Sequence, residues 1–502
     1  MTIRENNLLV YNTLSRTKER FEPLAPPHVG LYVCGPTVYG DAHLGHAKSY
    51  VSFDVIFRYL RYLGYQVTYV QNITDVGHLT DDADEGEDKV EKKAKAERLH
   101  PMQIAEHYTR RYFEDMDRLN VLRPDISPRA SGHIVEQIEL VKRLLERGHA
   151  YEVGGNVYFD VASWPAYGKL SGRSVSEMQA GARVEVKGEK RHPADFALWK
   201  RAEPGHIMQW PSPWGMGYPG WHLECSAMSM KYLGDSFDIH GGGLENQFPH
   251  HEDEIAQAEA ATGKPFVKYW LHNNMITVGG QKMGKSLGNF ITLQDAFQKW
   301  DPMVIRLFIL QSHYRSPLDF SDEALVAAKE GYERLVQAFN ELEKQVSDSK
   351  GNQDVGGRQA ADEARQQFAD AMDDDFNTPR AIGALYGLAR NTYKILSLRQ
   401  PRALDLARVH SAFAEMAGDV LGFIDFKALK PEQMGGIRKR EGMSLLRARR
   451  DLTKELSGLL IQMRSESRQA KNFAQADAIR KRLDEIGIIL EDTPEGTKWR
   501  FK

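Results

Sequence analysis

The chain has 502 residues, of which 41% are hydrophobic and 27% charged, a composition typical of a globular protein with roughly two to four domains. It contains no apolar run long enough to span a bilayer and no signal-peptide core near its N-terminus, so we expect a cytoplasmic protein. Its two cysteines lie 191 positions apart, which excludes a disulfide framework. From Arg438 to Lys502, 16 Lys and Arg stand against 10 Asp and Glu. This basic segment is either a polyanion-binding domain or a solvated helical face.

The first patterned region is a strand, a loop and a helix, followed by a second strand. Residues 29–34 and 66–70 are short apolar runs, and residues 44–63 carry an apolar stripe at helical spacing. Parallel strands joined by a crossover helix predict an α/β fold with a doubly wound, Rossmann-like parallel sheet and ligands at the strand carboxyl ends. The loop between residue 34 and the helix at 44–63 contains no GxGxxG motif, so the dinucleotide-binding version of this unit is not indicated.

The loop of this unit reads CGPTVYGDAHLGH, from Cys34 to His46. A loop that enters a helix N-terminus is suited to anions, because the first backbone N–H groups of a helix have no intrahelical partner. Here the loop also carries a thiol and two histidines, His43 and His46. The pattern predicts a nucleotide site, and the alternative is a buried thiol beside ordinary loop histidines.

The middle of the chain departs from this pattern. Residues 75–91 are dense in acidic side chains, and we predict an exposed excursion there. Residues 134–147 form an amphipathic helix, and two short strands flank Gly154-Gly155-Asn156, which is a hairpin signal. Residues 115–215 are therefore interpreted as an insertion into the parallel sheet.

The parallel pattern then resumes and gives way to helices. We predict helices near residues 222–233 and 248–262 on either side of a strand at 236–240, and mainly helices beyond residue 300. Polar or Gly-rich stretches at 347–357 and 426–436 mark boundaries, and a small hairpin is expected at 488–490 and 498–500.

A second group of metal-binding residue types surrounds the resumed strand. It consists of Cys225, the segment His240-Gly241-Gly242-Gly243, and the segment His250-His251-Glu252-Asp253-Glu254. On a helix, either His250 or His251 shares a face with Glu254. Thiolate, imidazole and carboxylate together suit zinc best among the common metals. The alternative is an acidic, solvated helix face beside a lone cysteine.

A third motif is the loop Lys282-Met283-Gly284-Lys285-Ser286, which follows Gly279-Gly280. Two lysines on a glycine-flanked loop can neutralise charge that develops on a polyphosphate. The alternative is a flexible surface loop without a catalytic role.

Taken in order, these motifs resemble the HIGH and KMSKS motifs of class I aminoacyl-tRNA synthetases, and the Cys, Cys, His, Glu set narrows the resemblance to the cysteinyl-tRNA synthetase family. The stretches that carry it are CGPTVY, HLGHA, NITDVGHL, PGWHLECSAM, HGGGLENQFPHHEDEIAQ, KMGKSLGNF, FAQADAIRKRL and LEDTPEGTKWR. They cover the chain from about residue 30 to its end. One position departs from the family, since Gly284 stands where serine is usual. Both lysines remain, so we expect activity to be kept and the mobility of the loop to differ.

The resemblance implies four regions. They are a catalytic domain at residues 1–300 with the insertion at about 115–215, a helical region contacting the tRNA stem at 301–347, a tRNA-binding helical bundle at 358–425, and a small mixed α/β, anticodon-binding domain at 437–502. It also implies a monomer that uses ATP with Mg²⁺, L-cysteine and the tRNA for cysteine, and does not bind a membrane.

The resemblance also assigns roles to single residues. One Zn²⁺ per chain would be held by Cys34, Cys225, His250 and Glu254 but not His251, and would bind the substrate thiolate and so reject serine. Trp221 and His240 would lie beside the amino acid. The catalytic residues would be His43, His46, Lys282 and Lys285, and ATP would contact Gly35, Thr37, His43, His46 and Lys285. The tRNA-reading residues would be Arg468, Phe473, Asp477, Arg480 and Asp492.

The expected activity is therefore cysteine activation by ATP followed by transfer to the 3′ end of a tRNA. Two alternatives stay open at this point. One is a cysteine ligase that uses an amino-sugar acceptor, although the roughly 150 residues after Ser347 argue against it. The other is a non-catalytic tRNA-binding or zinc-storage protein, which would not need both histidines of HLGH and both lysines of the loop.

Overall fold

A computed structural model gives the fold of most of the chain. It describes residues 3–4, 6–79, 86–173, 189–284, 287–349, 351–398, 400–424, 464, 467–468, 472–485, 488–493 and 496–501. Contacts between Cα atoms divide the chain into two units, Met1–Asp425 and Phe426–Lys502. Among the described helices, none has the length and apolar character needed to cross a membrane.

The first unit begins with a hairpin and the predicted βαβ arrangement. Strands β1 (Leu9–Asn12) and β2 (Thr17–Arg20) pair antiparallel, and β3 (His28–Val33) is followed by α1 (Leu44–Tyr62) and β4 (Gln66–Gln71). Strands β3 and β4 are parallel neighbours. Helix α1 is buried along most of its length, because it packs between the sheet and the helices that follow later in the chain.

The chain then leaves the parallel sheet. It forms α2 (Lys89–Glu97), α3 (Pro101–Arg118) and α4 (Ile134–Glu146), and then an antiparallel sheet of five strands, in the order β5-β6-β7-β9-β8. These strands are β5 (Ala150–Val153), β6 (Asn156–Phe159), β7 (Phe196–Arg201), β8 (Trp210–Ser212) and β9 (Gly215–Pro219). The predicted hairpin is β5–β6, and its turn glycines have positive φ, as such a turn requires.

One expectation about this region is wrong. Residues 75–91 are predicted to form an exposed excursion, yet residues 75–79, Asp88 and Glu91 are buried, and among the described residues of this stretch only Gly86 and Glu87 are exposed. Asp88 caps α2 by accepting from the N–H groups of Val90 and Glu91, and Asp75 accepts from Ser131. Acidic residues in this stretch hold turns and helix ends together, a use that composition alone does not reveal.

The parallel sheet resumes with α5 (Trp221–Leu233), β10 (Phe237–Gly243), α6 (His250–Thr262) and β11 (Val267–Asn273). The sheet order is β11-β10-β3-β4, all parallel, so the direction of winding reverses between β3 and β10. A side chain at Gly241 would meet Phe53 of α1, and one at Gly242 would meet His251 of α6, so these helices cover opposite faces. A doubly wound sheet binds ligands at this reversal, beyond the strand carboxyl ends.

The rest of the first unit is largely helical. After strands β12 (Ile276–Val278) and β13 (Gln281–Lys282) come α7 (Leu293–Lys299), α8 (Pro302–Leu310) and the short strand β14 (Leu318–Phe320), which pairs with β12. Helices α9 (Asp322–Asp348), α10 (Gly357–Met372), α11 (Thr378–Leu396) and α12 (Ala403–Phe413) pack together as a bundle, and a π-helical turn follows at Ala414–Val420. The bundle therefore includes α9, which lies before the boundary predicted at 347–357.

In the second unit, the structure describes helix α13 (Phe473–Glu485) and strands β15 (Ile488–Thr493) and β16 (Gly496–Phe501). The two strands pair antiparallel, as the sequence predicts. The turn residues between them lie outside the described residues. The unit is thus mixed α/β where it is described.

Candidate metal centre and active site

One cavity of about 390 Å³ lies at the carboxyl ends of all four parallel strands. Cys34, Asn72, Gly243 and Asn273, which end or directly follow β3, β4, β10 and β11, all line it. The cavity also reaches the histidines that begin α1 and the lysine loop after β12. The three motifs that the sequence keeps far apart therefore converge on one space.

Close packing of β3 against β4 fixes the position of Cys34. The next residue, Gly35, donates its N–H to the side-chain oxygen of Asn72 over 2.7 Å. A Cβ at Gly35 would lie 1.5 Å from the Asn72 carbonyl oxygen, so only glycine fits there. Asn72 was not among the predicted site residues, although it begins the stretch NITDVGHL that directly follows β4.

Four buried side chains with metal-binding atoms meet beside this loop. The donor atoms of Cys34, Cys225, His250 and Glu254 all lie within 4.8 Å of one another. Cys34 lies just beyond β3, Cys225 on α5, and the other two residues one turn apart on α6. The structure thus brings together the four residues to which the family resemblance assigns zinc.

The separations of these atoms fit a tetrahedral ion. Zinc bonds of about 2.3 Å to sulfur and about 2.0 Å to nitrogen or oxygen place two sulfurs about 3.8 Å apart and a nitrogen–oxygen pair about 3.3 Å apart. The Cys34 and Cys225 sulfurs are 3.9 Å apart, and His250 Nε2 lies 3.2 Å from Glu254 Oε1. The donor set and its spacing therefore suit Zn²⁺.

A second grouping shares two of these residues. Cys34, His240, His251 and Glu254 also lie within 4.8 Å of one another. However, His240 Nε2 is 2.8 Å from Glu254 Oε2, a hydrogen-bond length that is shorter than the edge of a zinc tetrahedron. Cys34, Cys225, His250 and Glu254 therefore form the better metal site, and His240 orients the carboxylate of Glu254.

Neighbouring side chains hold the histidine ligand as well. His250 Nδ1 lies 3.0 Å from His222 Nδ1, and His222 Nε2 lies 3.5 Å from Asp253 Oδ2. Asp253 in turn accepts from the Tyr167 hydroxyl. Such outer partners set the orientation of a metal-binding imidazole. His222 was not among the predicted site residues, and its place in the segment WHLEC was the only available signal.

Burial makes this cluster unfavourable for isolated negative charges. It raises the pKa of the Cys34 thiol well above its ordinary value, and the neighbouring Cys225 raises it further. Burial likewise raises the pKa of Cys225 and of Glu254. A bound dication would reverse these shifts, because it stabilises the thiolates and the carboxylate.

His43 and His46 cap α1 reciprocally. His43 Nδ1 accepts from the Gly45 N–H over 3.0 Å, and His46 Nδ1 accepts from the His43 N–H over 3.1 Å. Both Nδ1 atoms are therefore acceptors, so Nε2 of each neutral ring carries the hydrogen. Burial, with a contribution from His43, lowers the pKa of His46 well below its ordinary value, which keeps that ring neutral. Two imidazole rings that carry their hydrogen on Nε2 therefore line the cavity at the N-terminus of α1.

The lysine loop forms another part of the wall of this cavity. Lys282 and Met283 line the cavity, and the Gly284 N–H donates to Asn289 over 2.9 Å. Phe290 packs edge-on against His43, with ring centroids 5.2 Å apart, so the loop and the α1 terminus are in contact. Lys285 lies outside the described residues.

The two residues that were expected beside the amino acid lie in different surroundings. Trp221 lines the cavity, but its ring is stacked between His78 and His250, with ring centroids 4.0 Å and 4.3 Å away. Both of its faces are covered, so only its edge can contact a ligand. His240 is fully buried behind Glu254 and stacks on Trp270.

The residues predicted to read tRNA all belong to the second unit. Phe473, Asp477 and Arg480 are exposed on α13, and Phe473 shows 59% of its surface. Arg468 is also exposed, and Asp492 lies in β15. An exposed phenylalanine on a basic segment is typical of a base-stacking surface.

Comparison with known families places this geometry in a class. Residues 20–330 match the family described as "tRNA synthetases class I (C) catalytic domain", and residues 367–425 match the DALR domain. A Mycobacterium tuberculosis methionyl-tRNA synthetase bound by methionyl-adenylate shares the fold with a TM-score of 0.57 at 14% identity, over 81% of this chain and 96% of that one. An Agrobacterium radiobacter LeuRS–tRNA–LeuAMS complex gives a TM-score of 0.58 at 12% identity, over 80% and 85%. The fold and the motifs define a class I aminoacyl-tRNA synthetase.

Curated relatives narrow the class further. The cysteine--tRNA ligase of Chlorobaculum tepidum is 55% identical over 99% of both chains, and that of a Thermus thermophilus strain is 51% identical over 99% of both. The chain belongs to the cysteine--tRNA ligase family.

Proposed function

We propose that this chain activates L-cysteine with ATP to form cysteinyl-adenylate and then transfers cysteine to the 3′ end of its tRNA. The observation that carries the proposal is the shared cavity, which has two thiols and a histidine at one end and the α1 terminus with Lys282 at the other. A single amino acid can then be held by its sulfur while its carboxylate meets a nucleotide. Adjacent placement of the two tasks explains why Cys34 and His43 share one loop.

Zinc is the metal that this donor set suits, and Cys34, Cys225, His250 and Glu254 would hold it. When bound, Zn²⁺ would bind the substrate thiolate and disfavour the harder hydroxyl of serine. A pocket without such a metal separates these two amino acids poorly, since they differ by one atom. His222 and His240 support the site by orienting His250 and Glu254.

The activation step requires placement and charge stabilisation rather than a covalent nucleophile. His43 and His46 would donate from Nε2 to oxygens of the α-phosphate, where negative charge develops as the carboxylate attacks. Lys282 and Lys285 would hold the departing pyrophosphate with its Mg²⁺. Gly35 and Thr37 would contact ATP from the loop.

Transfer to tRNA would use the second unit for recognition. Arg468, Phe473, Asp477, Arg480 and Asp492 would contact tRNA nucleotides by stacking and hydrogen bonding. Support for a tRNA acceptor comes from relatives that match the chain over 99% of its length, including this unit.

Cysteine-dependent ATP–pyrophosphate exchange tests the proposal. Zinc-replete protein should exchange with cysteine, and serine should support exchange at least about a thousandfold less well, because a hydroxyl cannot replace a metal-bound thiolate. A second assay would offer unacylated tRNA and an amino sugar in parallel. We expect label only in tRNA. Absence of exchange with cysteine would contradict the proposal, and label in the amino sugar would replace its acceptor.

A further inference from the structure

Three polar side chains in the cavity wall are hydrogen-bonded in series, and the function described so far gives no role to two of them, His78 and Lys89. Lys89 Nζ lies 2.7 Å from His78 Nε2, and His78 Nδ1 lies 2.6 Å from Thr37 Oγ1. All three residues line the cavity. They come from the loop after β3, the segment after β4 and the first turn of α2, so the contact unites three separate parts of the fold.

The chemistry of Lys89 fixes the donor and the acceptor of both hydrogen bonds. A lysine ammonium has donors and no acceptor, so His78 Nε2 must accept from Lys89. The neutral ring then carries its hydrogen on Nδ1 and donates it to the Thr37 oxygen. Thr37 consequently has to direct its own hydrogen elsewhere. In the described part of the chain His78 is the only hydrogen-bond partner of this hydroxyl, so that hydrogen is available to a ligand in the cavity.

Stacking on Trp221 holds the His78 ring in the orientation that makes both hydrogen bonds. We call the series Lys89, His78 and Thr37 the relay. The His78 ring lies flat on Trp221, with an interplanar angle of 8° and ring centroids 4.0 Å apart. The other face of Trp221 stacks on His250 of the metal cluster at 4.3 Å. The imidazole is therefore held at a fixed orientation by the same tryptophan that packs on a metal-binding residue.

We infer that Lys89 and His78 are positioning residues that make Thr37 an obligate hydrogen-bond donor to an anionic oxygen of the substrates. Candidate oxygens are those of the amino-acid carboxylate and of the α-phosphate of ATP, which share the same acceptor chemistry. The inference rests on the proposed function and deepens it, because it assigns the polarity of one contact at the reacting centre. An aligned donor that meets developing charge lowers the barrier of the step.

Steady-state exchange kinetics of Lys89→Met, Thr37→Val and the double variant test the inference. Each single variant should lose roughly tenfold to a hundredfold in kcat/KM, and the double variant should lose no more than the worse single one, because both changes remove the same contact. Lys89→Arg keeps a charged donor and should recover most of the activity. A rise in KM for cysteine would identify the carboxylate as the acceptor, and a rise in KM for ATP the phosphate.

Lys92→Met is the matched control, since Lys92 is exposed on the same helix, and it should behave like the unaltered protein. Zinc content and melting temperature should be unchanged in all variants. Lys89→Met within twofold of the unaltered protein, or losses that multiply in the double variant, would overturn the inference.

A readout without turnover separates this inference from the proposed function. The ¹⁵N shifts of selectively labelled histidine, assigned with His78→Gln, should show His78 protonated at Nδ1, and Lys89→Met should release that preference. Hydrogen on Nε2 in the unaltered protein would overturn the relay even in an active enzyme. An inactive enzyme that keeps the Nδ1 tautomer would instead contradict the proposed function.

Discussion

At the scale of single residues, the roles of several polar groups follow from where their hydrogens must lie. His43 and His46 accept backbone N–H groups at Nδ1, and His78 accepts from Lys89 at Nε2. Each contact leaves only one neutral tautomer for the ring. The cavity therefore has fixed donors before any ligand binds, which reduces the reorganisation needed when charge develops.

Asp115 gives a prediction at this scale. It lies on α3, is buried, accepts from Gln294 of α7, and its other carboxylate oxygen has no hydrogen-bond partner among the described residues. Burial raises its pKa from 3.8 to about 6, against the opposing effects of Gln294 and Arg111. The folded protein therefore binds this proton more tightly than the unfolded chain, and the resulting stability is lost as pH rises from about 4 to about 6.

We expect Asp115→Asn to remove this loss. Between about pH 4 and about pH 6, the unaltered protein should lose about 1–2 kcal/mol more free energy of unfolding than the variant loses. This value includes a reduction for solvent screening. Urea unfolding of both proteins at several pH values measures it. Asp117→Asn, an exposed carboxylate on the same helix, is the control. Parallel pH profiles for the unaltered protein and Asp115→Asn would contradict the assignment.

At the scale of elements, the sequence predicted most of the parallel sheet. Helix α1, strands β3 and β4, and the α5-β10-α6 segment lie within two or three residues of their predicted positions. Buried strands and amphipathic helices leave a strong local pattern, because the same side chains that form the core set the period. The hairpins β5–β6 and β15–β16 were similarly marked by their turn residues.

The predictions failed where polar residues are buried. Asp75, Asp88 and Glu91 lie in a stretch whose composition indicates solvent exposure, yet they are buried and accept the backbone N–H groups of Ser131, Val90 and Ile207. The roles of His78 and Lys89 were missed for the same reason. Their partners come from segments tens of residues away, and no local period encodes such a contact. The metal cluster was predicted only because a family resemblance supplied the missing long-range pairing.

At the scale of the whole first unit, one arginine connects helix α1 to the segment that follows the helical bundle. Arg306 of α8 is fully buried and pairs with Asp54 of α1. It also donates to the carbonyl oxygens of Leu421, which follows the π-helical turn, and of Leu119, which follows α3. Arg58 donates to the same aspartate over 2.8 Å. The segment that follows the bundle is thus fastened to the helix whose N-terminus carries His43 and His46.

Replacing Arg306 should destabilise the folded protein. Arg306→Met leaves Asp54 buried with one partner fewer and breaks the contacts to backbone carbonyls, so we expect a loss of about 3–5 kcal/mol in the free energy of unfolding. Arg358→Met, which removes an exposed ion pair with Asp362, should lose less than about 1 kcal/mol. Equilibrium unfolding in urea measures both. Equal losses of unfolding free energy in the two variants would contradict the role assigned to Arg306 in connecting these parts of the first unit.

The central claim is that the buried cysteine, histidine and glutamate cluster holds the metal that selects cysteine. Metal analysis of the purified protein and of Cys225→Ser, combined with exchange assays using cysteine and serine, tests it most directly. We expect about one Zn²⁺ per chain in the unaltered protein, and loss of most of the metal together with cysteine activation in the variant. A Cys225→Ser protein that keeps its full zinc content and still rejects serine would contradict the claim.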